Sequence, residues 1–262
     1  MQKETGKLKK IIEKGSEIGG GITGATIGLI IAGPIGAIGG AIAGPLIAEV
    51  FNKVGKEISE RYLGNREEVR VGATFSLALD KLDREIMNGK TLRGDDFYVS
   101  QTGLRSKAET ILEGTLLKAR NEYEEKKIKY YANFLANLNL NESISFEKGN
   151  TLLRIIEQLS FRQIVILGYF GHFETLSTKR WMISFARKAE LGNYQDFYAE
   201  LIDLYNKQLL QQGGPGISMS IDSLKLSPLG NELNKLLNIE EIEHIDINII
   251  EDTIKDIEKL KE

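Results

Sequence analysis

The chain has 262 residues, of which 27% are charged, with a formal net charge of −3, two histidines and no cysteine. That length allows one large domain or two small ones, and the near-neutral balance argues against a nucleic-acid binder held by phosphate contacts. The absence of cysteine excludes disulfides and thiol catalysis.

The two ends differ in sign. Residues 1–16 carry five lysines against two glutamates, and residues 240–262 carry nine acids against three lysines. In the first of these, Leu8, Ile11 and Ile12 alternate with Lys3, Lys7, Lys9, Lys10 and Lys14. That pattern predicts a short amphipathic helix suited to an anionic lipid surface, with Lys7, Lys9, Lys10 and Lys14 as headgroup contacts.

Residues 18–48 follow, thirty-one positions without a charge between Glu17 and Glu49. Every fourth residue is small: Gly20, Gly24, Gly28, Ala32, Gly36, Gly40, Gly44 and Ala48. On a helix these make one ridge, because residues four apart are surface neighbours. Glycine costs about 1 kcal/mol relative to alanine in a helix interior, so a helix in water gains nothing from the repeat. In lipid, small-xxx-small ridges let backbones approach closely and associate by van der Waals packing. The stretch therefore reads as a glycine-zipper membrane segment.

Its geometry is open. Ile31-Ala32-Gly33-Pro34 recurs eleven residues later as Ile42-Ala43-Gly44-Pro45. A single helix would run about 46 Å, longer than the roughly 30 Å hydrocarbon core, whereas the arms of a hairpin turning at Gly33-Pro34 would each be short. Lysines before the stretch and Lys53, Lys56 and Arg61 after it put both ends on the cytoplasmic side. Three other readings compete. A signal peptide is disfavoured because the apolar run is about twice too long. A hairpin buried inside a helical domain stays open, since the glycines dilute the hydrophobicity. Gly19-x-Gly21-x-x-Gly24 matches a dinucleotide fingerprint, but no strand precedes it.

Past the zipper, Leu46, Val50, Val54 and Ile58 continue a helix to Leu63-Gly64-Asn65. A second helix is expected from about Glu67 to Met87, with Gly72, Phe75, Leu79, Leu82 and Ile86 as a packing seam, closed by Asn88-Gly89. Gly89-Lys90-Thr91 fails as a phosphate loop, because Arg84 stands where its first glycine belongs. Residues 90–105 read as a loop in which Asp95 and Asp96 are solvated.

Ser106 and Glu109 form a capping box that opens a helix expected to reach Leu138, with the charged run from Glu122 to Lys129 as an exposed face of four-apart ion pairs. After a polar connector, Leu152 to Leu159 make a buried helix, and Ser160 with Gln163 caps the next. The run Tyr130-Tyr131-Ala-Asn-Phe-Leu-Ala-Asn-Leu, followed by Leu152 to Leu167, resembles the helical region of bacterial abortive-infection proteins of the Abi-alpha type. Leu226-Ser227-Pro228-Leu229-Gly230 is similar to the Leu-Thr-Pro-Leu-Gly step after the wing of winged-helix domains. The resemblance implies a helical fold and a role in anti-phage defence, and it brings no catalytic motif.

Read as a winged helix over residues 160–237, Ser160 to Phe170 is the first helix and Tyr194 to Gln211 the recognition helix, with Ile217–Ile221 and Leu224–Leu226 paired as the wing. Asp196, Glu200 and Asp203 against Lys207 alone argue for a protein partner rather than DNA. Lys179, Arg180, Arg187 and Lys188 read as a solvated basic face, and Trp181, Phe185 and Tyr198 as core. Residues 246–262 form an acidic amphipathic helix with Ile250, Ile254, Ile257 and Leu260 on one side, which needs something to pack on.

His172 and His244 stand far apart in sequence and outside any metal-ligand spacing, and no nucleophile elbow, kinase set or zinc pattern is present. The expectation is therefore a non-enzyme without cofactor or metal. The fold expected is all-α, mainly helical: a basic helix and glycine-rich membrane helix or helical hairpin over residues 1–62, then a helical domain over 63–262 with a small winged-helix-like β-hairpin. The function expected is a membrane-disrupting, pore-forming or depolarising effector of bacterial abortive infection. Its partners would be membrane lipid, further copies of itself on activation and a protein sensor, with no direct nucleic acid. Its place would be the inner membrane, or the cytoplasm before moving there on activation. The alternative is a soluble helical regulatory or interaction module with a buried glycine-rich hairpin.

Overall fold

A computed structural model describes residues 45–61, 63–100, 102–173, 194–212 and 224–259. Among these it is mostly helical, with nine α-helices and one two-stranded antiparallel sheet. The chain divides into two compact units, residues 1–158 and 159–262. No helix of the described residues is long and apolar enough to cross a membrane.

The first unit holds α1 (Pro45–Ser59), α2 (Asn65–Met87), α3 (Lys107–Asn121), α4 (Ile128–Asn139) and α5 (Phe146–Gln158). α2 packs on both α3 and α4 and is enclosed well beyond the predicted seam. Val71, Ala73, Thr74, Ser76, Ala78 and Lys81 are buried along with Phe75, Leu79 and Leu82. Its end is as expected: Asn88 closes the helix and Gly89 turns out at φ +91, a left-handed conformation that favours glycine.

Asp95 and Asp96 are exposed as expected, and each also has a basic partner. Arg93 is buried, forks onto Asp95 at 2.7 and 2.5 Å, and donates to the carbonyls of Leu138 (3.3 Å) and Ile144 (3.1 Å). It thereby adds a donor to a carbonyl in the last turn of α4, while its guanidinium lies 4.1 Å from the centre of the Phe97 ring. Asp96 pairs with Lys107 at 2.7 Å. The two aspartates are thus structural ion-pair partners, and the turn Asp96–Tyr98 between them and α3 buries Phe97.

The single helix expected from Ser106 to Leu138 is two. The Ser106 and Glu109 box starts α3 as foreseen, with Ser106 Oγ accepting the Glu109 N–H and Glu109 accepting the Ser106 N–H. α3 then stops at Asn121, where Glu122 is extended (φ −72, ψ 123) and its carboxylate accepts the Glu124 N–H at 3.0 Å. The same carboxylate lies 2.5 Å from the Lys127 ammonium, with Lys127 and Glu122 only 2% and 7% exposed. The Tyr131 hydroxyl donates to it at 3.3 Å, and Lys127 also donates to the Glu157 carbonyl at 3.4 Å. This part of the charged run is a buried ionic knot rather than a solvated face, and the local bond from side chain to backbone competes with helix continuation.

In the second unit, α6 (Phe161–Phe173) is central, contacting α7 (Gln195–Asn206), α8 (Pro228–Leu237), α9 (His244–Lys259) and strand β2 (Leu224–Leu226). Its start is capped as predicted, Ser160 Oγ accepting from Gln163 N and Gln163 Oε1 from Ser160 N. Gly168 and Gly171 let neighbours approach: a Cβ there would come within 2.9 Å of Ile239 and Ile242, and within 2.8 Å of Asn234. The predicted recognition helix ends at Asn206, short of Gln211. Leu210–Gln212 is instead strand β1, paired with β2 in the register Leu210↔Leu226. Ile217–Ile221, with Lys179, Arg180, Trp181, Phe185, Arg187 and Lys188, falls outside the described residues.

Ser227 caps α8, its Oγ accepting the Gly230 N–H at 2.9 Å. Gly230 is required by contact: a Cβ would sit 2.1 Å from the Leu209 carbonyl oxygen. α9 buries Ile247, Ile250, Ile254 and Ile257 and packs on α6, so the acidic tail helix finds its partner in its own unit.

Candidate functional site

The sites read from the sequence lie almost wholly outside the described residues: Lys7, Lys9, Lys10, Lys14, Gly20, Gly24, Gly28, Ala32, Gly36, Gly40 and Gly44. Ala48, last of the small-residue row, lies half-buried in α1. What can be built from side chains upward is α1, where the apolar stretch ends.

α1 begins at Pro45, the last proline of the repeated Ile-Ala-Gly-Pro. Proline suits a first helical position, since its φ is preset and the missing N–H would be unpaired there anyway. From that residue the helix is amphipathic. Ile47, Val50, Phe51, Val54 and Ile58 are buried, and Phe51 meets Phe75 of α2 edge to face at 5.1 Å. Fully burying a large aliphatic or aromatic side chain contributes about 1.5–3 kcal/mol, so α1 is held firmly along this face.

A ladder of charges lies beside the apolar face. Lys53, Glu57 and Arg61 stand four apart in sequence, as do Arg105, just before α3, and Glu109 and Glu113 within it. Lys53 pairs with Glu109 at 2.5 Å, Glu57 with Arg105, and Arg61 with Glu113, which also takes Arg105. Burial pushes the Glu109 carboxyl up, but the Lys53 ammonium, the Ser106 N–H and Arg105 outweigh it and hold it below its ordinary value. Glu109 therefore joins two tasks, capping α3 and holding α1. The sequence reading missed this ladder, although both four-apart rows are visible in it. Their partnership is not, because some fifty residues separate them.

The second unit offers less chemistry. On α7, Glu200 pairs with Arg162 at 3.3 Å, and Asp203 accepts from Gln163 at 2.7 Å and from Lys207. Those two acids are spent on internal contacts, while Phe197, Tyr198, Leu201 and Leu204 are buried. A shallow cleft of about 650 Å³ opens between the end of α7 and the strand pair, lined by Tyr205, Asn206, Gln208, Gln211 and Ser227 among others, none of them charged at neutral pH. It holds no acid and base pair. Among the described residues no group of three or more His, Asp or Glu is placed to hold a metal ion. His172 and His244 do meet, their rings edge to face with centroids 6.2 Å apart, where separation in sequence suggested none.

No protein-family model, curated protein or solved structure matches the chain.

Proposed function

We propose that the protein is a membrane-disrupting effector of bacterial anti-phage defence, in which residues 18–48 enter the lipid and associate through Gly20, Gly24, Gly28, Gly36, Gly40 and Gly44. The observation that carries this is thirty-one residues without a charge and with a small residue at every fourth position, a pattern that costs stability in water and serves close helix packing in lipid. Lys7, Lys9, Lys10 and Lys14 meet anionic headgroups, and α1 ties the segment to the helical part of the chain. A protein sensor triggers insertion or oligomerisation. The defence setting is supported by the resemblance of Tyr130–Leu138 and Leu152–Leu167 to Abi-alpha-type proteins, and Ser227-Pro228-Leu229-Gly230 after β2 supports a winged-helix-like part.

The alternative is a soluble helical regulatory module that keeps a glycine-rich hairpin inside. It is favoured by one observation: Ile47, within the apolar stretch itself, is fully buried. Flotation of the full chain with vesicles of anionic lipid separates the two. The effector rises with the vesicles in low and high salt alike, whereas recovery in the bottom fraction under both conditions supports the soluble module.

A further inference from the structure

α9 is apolar on two sides. Ile247, Ile250, Ile254 and Ile257 are buried, while Ile245 and Ile249 stand 66% and 58% exposed. With Asp252 and Asp256, also exposed, these two recur at steps of four, three and four, which is one stripe along the outside of a helix. Single exposed apolar side chains are ordinary on a protein surface, but isoleucines on adjacent turns of one stripe make a patch. The charge around the patch is one-sided. Glu240, Glu241 and Glu243 are exposed just before the helix and Asp252 and Asp256 along it, against one lysine, Lys255, which lies 3.6 Å from Glu251 and 3.4 Å from Asp252.

A segment that fits this face carries apolar side chains three and four apart with basic ones beside them. The chain has such a segment in residues 1–16, with Leu8, Ile11 and Ile12 among five lysines. We propose that the outer face of α9 receives the basic N-terminal arm, residues 1–16, of a second copy of the chain. Leu8 and Ile12, four apart, match Ile245 and Ile249, and Lys7 and Lys14, on one flank of that row in the helix predicted from the sequence, match Asp252 and Asp256. The lengths agree as well: a helix over residues 2–16 spans about 22 Å and the sixteen residues of α9 about 24 Å.

Each copy offers one arm and one face, so two copies close by reciprocal exchange. Opposite charges across such a contact set partner and register, and salt weakens them. Lys7 and Lys14 cannot serve α9 and lipid headgroups at once, so an anionic surface competes for the arms. The inference does not depend on residues 18–48 entering lipid.

The test is analytical ultracentrifugation of the full chain in about 50 mM and about 500 mM NaCl, with Lys7→Asp/Lys14→Asp, Asp252→Lys/Asp256→Lys and the combination of all four. The parent is expected as a dimer in low salt, its dissociation constant raised about tenfold or more by high salt and by either reversal alone. The combination restores opposite charges across the contact and recovers the dimer. A monomeric parent overturns the proposal, an arm held by its own chain included, and so does a dimer indifferent to the reversals or a combination no tighter than either. Circular dichroism checks that each variant folds. Should a reversal fail to fold, Ile245→Gln/Ile249→Gln, which leaves every charge in place, decides alone: a dimer weakened about tenfold supports the contact, and an unchanged one refutes it.

Discussion

Replacing Lys127 by methionine tests whether the break between α3 and α4 is held by the buried knot. The ammonium lies 2.5 Å from Glu122, and neither residue is more than 7% exposed. Removing one partner of such a pair leaves an uncompensated charge and costs about 3–5 kcal/mol. Here the stranded carboxylate keeps the Glu124 N–H at 3.0 Å and the Tyr131 hydroxyl at 3.3 Å, so the lower end, about 3 kcal/mol, is expected. Adding Glu122→Gln removes the charge and retains an acceptor for the Glu124 N–H, while its amide NH₂ takes the place of the oxygen facing the Tyr131 hydroxyl, which can turn from donor to acceptor. The double variant should therefore recover to within about 1.5 kcal/mol of the parent, giving a coupling of at least 1.5 kcal/mol. Urea unfolding followed by circular dichroism reads this as a midpoint shift of about 1.5 M for the single variant, at a slope near 2 kcal/mol/M. Hydrogen exchange over residues 107–139 assigns the loss to the first unit. A Lys127→Met cost below about 1 kcal/mol, or a double variant no better than the single, would refute the claim that the pair is buried and coupled.

Three other perturbations, with one control, test local contacts. Gly230→Ala should cost about 1–3 kcal/mol or more, since its Cβ would lie 2.1 Å from a backbone oxygen. Gly94→Ala, where a Cβ meets nothing within 4 Å, serves as the near-neutral control in the same thermal melt. Glu109, held below its ordinary value of 4.5, contributes stability that is fully present above that value and is lost as pH falls through its lower folded value. Acid unfolding of the parent should thus steepen below about pH 4.5, and Glu109→Gln, weaker at pH 7, should show a flatter profile there. Asp83 behaves oppositely. Burial and then Asp80 push its carboxyl up, and its Oδ1 is buried without a hydrogen-bond partner. Its ionisation therefore penalises the folded state at neutral pH, and the penalty fades as pH falls through the raised value. Asp83→Asn should stabilise slightly at pH 7, a gain reduced by the residue's partial exposure, and not at pH 3.

Local signals carried the helices well. Ser106 with Glu109, Ser160 with Gln163, and Asn88-Gly89 each announce a helix end within a few residues of one another, and each stands where expected. The isoleucine row of the tail likewise gave its buried face. What escaped depends on partners distant in sequence. Glu122 and Lys127 look like a solvated pair until Tyr131 and the Glu157 carbonyl enclose them. Leu210–Gln212 reads as the tail of a helix until Leu224–Leu226 pairs with it. Arg93 gives no sign that it will close α4 forty-five residues later. The join at α1 was half legible: its apolar stripe was read, and its ionic ladder to Arg105, Glu109 and Glu113 was not.

The proposal that small residues let helices meet in lipid is tested most directly by dye release from vesicles of anionic lipid, comparing the parent chain with Gly24→Leu/Gly28→Leu. Leucine at both positions fills the ridge while raising the hydrophobicity of the stretch. The account predicts rapid leakage from the parent and loss of leakage in the variant, with its helical domain still folded by circular dichroism. Equal leakage from both, or none from either, would contradict it.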